Sequence, residues 1–150
     1  MPKTSNSMIS IIVCTYNRDK YLYNAFQHIA ANDYDFAKYE IVLVNNNSTD
    51  STDSECKRFA ADFPQVNFRY FVETNQGLSF ARNRGIGESS GEILVFLDDD
   101  SFVEPDYLAN LDMQMAEHKD AMAFGGQISP VFEEGKPPKW LNRWTYSLVS

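Results

Sequence analysis

Cysteine is nearly missing from this chain: Cys14 and Cys56 are the only two among 150 residues, and neither lies in a Cys-x-x-Cys pair or a Cys/His cluster. A disulfide framework is thereby ruled out, and a reducing compartment is the simplest setting. Basic charge is scarce as well, with 13 Lys+Arg against 21 Asp+Glu for a formal net charge of −8. Proteins that grip nucleic acid or anionic membranes neutralise phosphates with Lys and Arg. No nucleic-acid partner is expected, although one small anionic ligand stays compatible with the balance. Long apolar runs are also missing. The stretch from Met8 to Cys14 contains Ser10 and is too short for a signal peptide, and no segment reaches the roughly 20 apolar residues that a membrane-spanning helix needs. The expected location is cytoplasmic, with peripheral contact at the inner face of a membrane left open. Three nucleotide and hydrolase signatures do not occur either: G-x-G-x-x-G after the first strand, a P-loop, and the G-x-S-x-G elbow.

What is present suits one soluble α/β domain. Hydrophobic residues make up 43% of the chain and aromatics 14%, enough for a core without disulfide or metal support. Residues 1–7 are polar and aperiodic, and read as a disordered lead-in. Ser10 to Thr15 (SIIVCT) and Glu40 to Val44 (EIVLV) are continuous apolar runs rich in β-branched residues, the mark of strands buried on both faces. Asn67 to Val72, Glu92 to Leu97 and Ala121 to Ile128 are three further expected strands. Between them the period changes to that of helices over Asp19 to Ala31, Thr52 to Phe63, Leu78 to Glu88 and Asp106 to His118. Thr52-Asp53-Ser54-Glu55 has capping-box form. Strands alternating with helices specify a largely parallel sheet. From Ser129 onward, Pro130, Gly135, Pro137 and Pro138 break regular structure, and Trp140, Trp144 and Tyr146 form an aromatic tail suited to packing or self-association.

Ligands of open parallel sheets bind beyond the carboxyl ends of the strands. Four polar stretches fall there: Thr15-Tyr16-Asn17-Arg18, Asn45 to Asp50, Asn75 to Arg84, and Asp98-Asp99-Asp100. Three adjacent carboxylates disfavour one another's ionised form, and a bound cation resolves the conflict. If the backbone stays extended, Asp98 and Asp100 share a face. Oxygen donors without His or Cys favour Mg²⁺ or Mn²⁺. The plainer account makes the triplet a set of solvated loop acids beside a helix start, with Arg82 and Arg84 near a helix end and Asn45 to Asp50 a turn and cap. His28 and His118 have no second ligand at metal spacing and read as ordinary helical residues.

In this order, SIIVCTYNR, EIVLVNNNSTDST, NQGLSFARNRGIGESSGEILVFLDDDS, FGGQISP and PPKWL resemble the N-terminal half of family 2 glycosyltransferases, inverting enzymes that use nucleotide sugars. The resemblance implies the GT-A fold, a Rossmann-like α/β/α sandwich, with a nucleotide-sugar-binding core over 8–128. Residues 129–150 would be the truncated start of an acceptor-side region. It also implies that Thr15, Tyr16, Asn17 and Arg18 lie along the nucleotide, Asn45 and Asn46 beside the base, and Arg82 near the base or diphosphate. Asp98 and Asp99 would lie near the ribose, with Asp100 and Asp98 holding Mg²⁺ or Mn²⁺. The implied partners are a nucleotide-diphosphate sugar, UDP-sugar above others, and a glycan or lipid-linked acceptor.

Two departures from the family pattern matter. Asn45 and Asn46 stand where many relatives carry an acid, which alters the expected base contacts. The general base of the family falls in a later acidic motif, and Glu133 and Glu134 have no feature that recommends them for it. The 150-residue chain is therefore expected to bind donor with little transfer on its own. A non-catalytic nucleotide-binding module of the same fold is the alternative, and a haloacid-dehalogenase-like phosphatase a more distant one.

Overall fold

A strand hidden on both faces belongs inside a sheet with helices above and below it. The computed structural model, which describes residues 7–132, 135–138 and 141, places β1 (Ile9–Thr15) and β2 (Tyr39–Asn45) at the centre. β3 (Phe68–Val72) and β4 (Ile93–Asp98) flank them, giving one all-parallel sheet in the order β3-β2-β1-β4. Cys14 is level with Val44 on one side and Asp98 on the other, and Thr15 is level with Asn45. The strands therefore end together, and their following loops share one edge.

Side chains alternate across the sheet. Ile9, Ile11 and Val13 of β1 join Ile41 and Leu43 of β2 on one face, against Leu22, Phe26 and Ile29 of α1 (Asp19–Ala30), Cys56 and Phe59 of α2 (Thr52–Asp62), and Leu108 of α4 (Tyr107–Glu117). Phe59 is the hub, with ring centroids 5.1 Å from Phe26, 5.2 Å from Phe68 and 4.8 Å from Phe63. The opposite face carries Ile12, Val42 and Val44 against Ala81 of α3 (Leu78–Glu88). α3 comes down close because of Gly85, where an added Cβ would stand only 2.5 Å from Ile12 Cγ2.

Glu40 anchors the amino-terminal edge. It is fully buried and accepts hydrogen bonds from Ser10 Oγ (2.6 Å), the Ser90 backbone N–H (2.7 Å) and Ser90 Oγ (2.8 Å), with Arg69 Nη1 at 3.1 Å. One carboxylate thus ties β1, β2, β3 and the loop before β4 together.

Two expectations change. The capping box does not form: Ser51 is the N-cap of α2 without a side-chain hydrogen bond, Thr52 is buried and donates to Asp50, and Glu55 pairs with Arg58. Asp50 does the capping instead. No strand forms over 121–128, where Gly125-Gly126 interrupts the run and the entropic demand on glycine disfavours extended pairing.

The chain divides into two units, Met1–His118 and Lys119–Ser150. The described residues of the second contain no helix or strand, and Met122, Ile128 and Val131 are exposed there. Glu133, Glu134, Trp140, Trp144 and Tyr146 lie outside the described residues, as do residues 1–6. Among the described residues no helix is long and apolar enough to cross a membrane.

Candidate functional site

β1 delivers Thr15 to the carboxyl edge, where its Oγ1 donates to Asp99 Oδ2 at 2.6 Å. Three residues later Arg18 sits at the N-cap of α1. Its Nε lies 3.6 Å from Asp99 Oδ1, its Nη2 donates to Asp100 Oδ2, and the guanidinium lies 5.1 Å from the Tyr21 ring centroid. Burial pushes the Asp99 carboxyl up, and the Thr15 hydrogen bond and Arg18 only partly offset burial and the neighbouring Asp100 and Asp98 charges. Asp98 is exposed and Asp100 about half exposed, so these two face solvent while Asp99 turns inward.

The expected strand-like alternation does not run through the triplet. β4 ends at Asp98, and the Ser101 N–H donates to the Asp98 carbonyl at 3.0 Å to close a turn. A turn, rather than a pleat, decides where Asp99 and Asp100 project.

Arg82 lies mid-way along α3 and is exposed. The Cys14 thiol, pushed up to about 11 by burial, is pulled down by Arg82 and pushed up by Asp98 and Asp99. Arg84, by contrast, is taken by Glu88, with Nε to Oε1 at 2.8 Å. Arg82 makes no ion pair among the described residues.

The second loop is built from asparagines whose amides face inward. Asn45 donates to Tyr70 OH at 2.8 Å and accepts from the Ser48 N–H at 2.8 Å. Asn46 donates to the carbonyls of Glu73 (3.0 Å) and Asn75 (2.7 Å) and accepts from the Gly77 N–H (2.8 Å). Its amide therefore fixes the turn leading into α3, where Gly77 adopts φ +139°. A carboxylate at position 46 would offer acceptors only and could not reproduce the two donated bonds.

Asn17 (φ 53°) and Asn47 (φ 62°) both take the left-handed conformation that asparagine tolerates best after glycine. The first two loops also clasp each other. The Asn17 N–H donates to Ser48 Oγ at 3.0 Å, and Asn17 Oδ1 accepts from the Thr49 N–H at 2.8 Å. Asp50 accepts from the Asp19 N–H, and Asp19 accepts from the Ser51 N–H, each at 3.1 Å. Each aspartate thus serves the start of the other's helix. Burial opposes the Asp50 charge, yet hydrogen bonds from Thr52 and the Asp19 N–H outweigh it and hold this carboxyl below its ordinary value. Sequence reading placed Asp50 in a polar stretch, but the clasp with Asp19 depends on side-chain directions that spacing alone does not carry. Tyr16 is half exposed at the same edge.

Among the described residues no three His, Cys, Asp or Glu side chains converge into a cage for a metal. Asp98 and Asp100 still suit Mg²⁺ or Mn²⁺, because such ions commonly take one or two carboxylates and complete their shell with water and ligand phosphates. The donor set fits a cation that arrives with a diphosphate.

The family pattern described as Glycosyl transferase family 2 matches residues 10–148. Glycosyltransferase GlyA of Streptococcus pneumoniae is 35% identical over 127 residues, which cover 85% of this chain and 18% of that protein. The GalNAc(5)-diNAcBac-PP-undecaprenol beta-1,3-glucosyltransferase of Campylobacter jejuni is 35% identical over 83% of this chain and 38% of its own length. Among solved structures, mannosyltransferase PcManGT from Pyrobaculum calidifontis, in complex with GDP-Man and Mn²⁺, superposes with a TM-score of 0.71 at 30% identity, covering 76% of this chain and 34% of that one. S. aureus TarS 1-349 in complex with UDP gives a TM-score of 0.69 at 25% identity, over 75% and 33%. The chain spans less than half the length of each of these relatives.

Proposed function

The chain belongs to glycosyl transferase family 2 and has the GT-A fold, and from that premise we propose that it binds a nucleotide-diphosphate sugar, UDP-sugar above others, for metal-dependent, inverting transfer to an acceptor hydroxyl. The acceptor class is a glycan or a lipid-linked glycan. One observation carries the reading: Thr15 and Arg18 hold the acidic turn after β4 at the carboxyl edge, beside the clasped loops. Solved relatives holding GDP-Man with Mn²⁺, and UDP, support a nucleotide-sugar ligand of this kind.

Thr15, Tyr16, Asn17 and Arg18 line the nucleotide in this reading. Asn45 and Asn46 hold the base-side wall, with Asn46 acting through the turn that it fixes. Arg82 gives the diphosphate a planar, doubly donating contact, and Asp98 and Asp100 hold Mg²⁺ or Mn²⁺ with Asp99 kept in place by Thr15. A bound cation of this type supplies neutralisation of the negative charge that grows on the leaving nucleoside diphosphate. Inverting transfer also requires a base for the acceptor proton, a role assigned to none of the described residues.

Thermal unfolding with UDP, GDP or dTDP, each with and without Mn²⁺, tests the reading. At a hundredfold excess over Kd, a single-site ligand adds about 2.7 kcal/mol, roughly 5–11 °C in Tm for a chain of this size. UDP with Mn²⁺ is expected to give the largest rise. A larger rise with GDP or dTDP overturns the choice of base, and no rise with any nucleotide overturns donor binding.

A further inference from the structure

We propose that Arg18 is a built-in counter-ion that occupies the acidic turn until a diphosphate draws it away, so that it couples cation binding to nucleotide binding. The inference rests on the metal-dependent donor reading above and adds to it a residue that sets the order of assembly.

Arg18 is positioned for such an exchange. It stands at the N-cap of α1 without making a side-chain cap hydrogen bond, and its guanidinium crosses instead to Asp99 and Asp100 on the turn after β4. Thr15 also holds Asp99, whereas Asp100, the expected metal ligand, has Arg18 as its ion-pair partner among the described residues. The pair is accessible, with side-chain exposures of 43% for Arg18 and 47% for Asp100. Exposed ion pairs are weak and exchangeable, and a diphosphate offers a guanidinium a better, two-pronged acceptor. Of the other described arginines, Arg58 is committed to Glu55, Arg69 to Glu40 and Arg84 to Glu88, while Arg82 is exposed on α3 and pairs with no carboxylate among the described residues, so Arg18 alone among them holds the acidic turn.

Two consequences follow from this geometry. A free cation must displace the guanidinium from Asp100, which weakens metal binding in the absence of nucleotide. A bound diphosphate takes the guanidinium and frees the carboxylate. Nucleotide and metal then favour each other beyond simple chelation, and the coupling is reciprocal.

Mn²⁺ titrations of the wild-type chain and of Arg18→Gln, read by the electron paramagnetic resonance of free Mn²⁺ with and without saturating UDP, test the proposal. The variant is expected to bind Mn²⁺ alone about fivefold more tightly. With UDP present the two proteins should agree within about twofold, so the factor by which UDP strengthens Mn²⁺ binding falls about fivefold in the variant. Loss of one positive charge acting only through space would shift both titrations equally and leave that factor unchanged, which overturns the proposal while the donor reading stands. Absence of Mn²⁺ binding by either protein, even with UDP, overturns the metal-dependent reading and this inference with it. Arg18→Lys retains the charge without the planar fork, and is expected to bind Mn²⁺ alone at a strength between the other two.

Discussion

Replacing Glu40 with alanine removes a buried carboxylate of β2 that links β1 and β3, and leaves four donor contacts without their acceptor: Ser10 Oγ, the Ser90 N–H, Ser90 Oγ and the Arg69 guanidinium. Breaking a buried ion pair by deleting one partner costs about 3–5 kcal/mol. Arg69 is 34% exposed and can regain water, so the lower end applies, about 3 kcal/mol, or roughly 6–12 °C in Tm. Acid adds a second signature. Burial pushes the Glu40 carboxyl up, but hydrogen bonds from Ser10, Ser90 and Arg69 prevail and hold it below its ordinary value. A depressed carboxyl contributes stability that is complete above its unfolded pKa, near ~4.3, and is lost as pH falls through the folded value. Urea unfolding between pH 7 and pH 3 should therefore show a shallower acid decline for Glu40→Ala than for wild type. A loss under about 1 kcal/mol at pH 7, or parallel acid limbs, would refute this account of the amino-terminal edge.

Other perturbations have equally definite signs. Tyr39 is fully buried and its hydroxyl has no hydrogen-bond partner among the described residues, so Tyr39→Phe should be neutral or stabilising by up to about 1 kcal/mol in chemical denaturation. At Gly85 an added methyl meets Ile12 Cγ2. Overpacking costs about 1–3 kcal/mol while the helix gains about 1, and Gly85→Ala should lose roughly 1 kcal/mol net in the same assay. Asp50→Ala removes acceptors from Asp19, Thr52 and the loop clasp. It should cost about 1 kcal/mol as a lost cap and weaken UDP binding measured by calorimetry, whereas Asp53→Ala on the exposed side of α2 should leave UDP binding unchanged.

The interior of the sheet was legible because β1 and β2 are buried on both faces and write that burial as unbroken apolar runs. α1 was equally clear, since Leu22, Ala25, Phe26 and Ile29 repeat at helical spacing and are the residues that meet the sheet. Legibility fell where a residue's job depends on a distant partner. Thr52 resembled a cap, yet Asp50 captures its hydroxyl and Arg58 captures Glu55. The acidic triplet was visible at once. The turn at Asp98 that separates inward Asp99 from outward Asp98 and Asp100 was not, because a backbone hydrogen bond to Ser101 sets it. The part Asn46 plays in fixing the 73–77 turn was likewise hidden, because the three backbone groups that hold its amide lie about 30 residues further along the chain.

The most direct test of the central claim is a crystal of the chain grown with UDP and Mn²⁺ and measured at the manganese absorption edge. The account predicts an anomalous peak in contact with Asp100 and Asp98 and with the diphosphate, and Arg18 turned away from Asp100. A manganese ion bound elsewhere, or UDP bound away from the carboxyl edge of β1, β2 and β4, would contradict it.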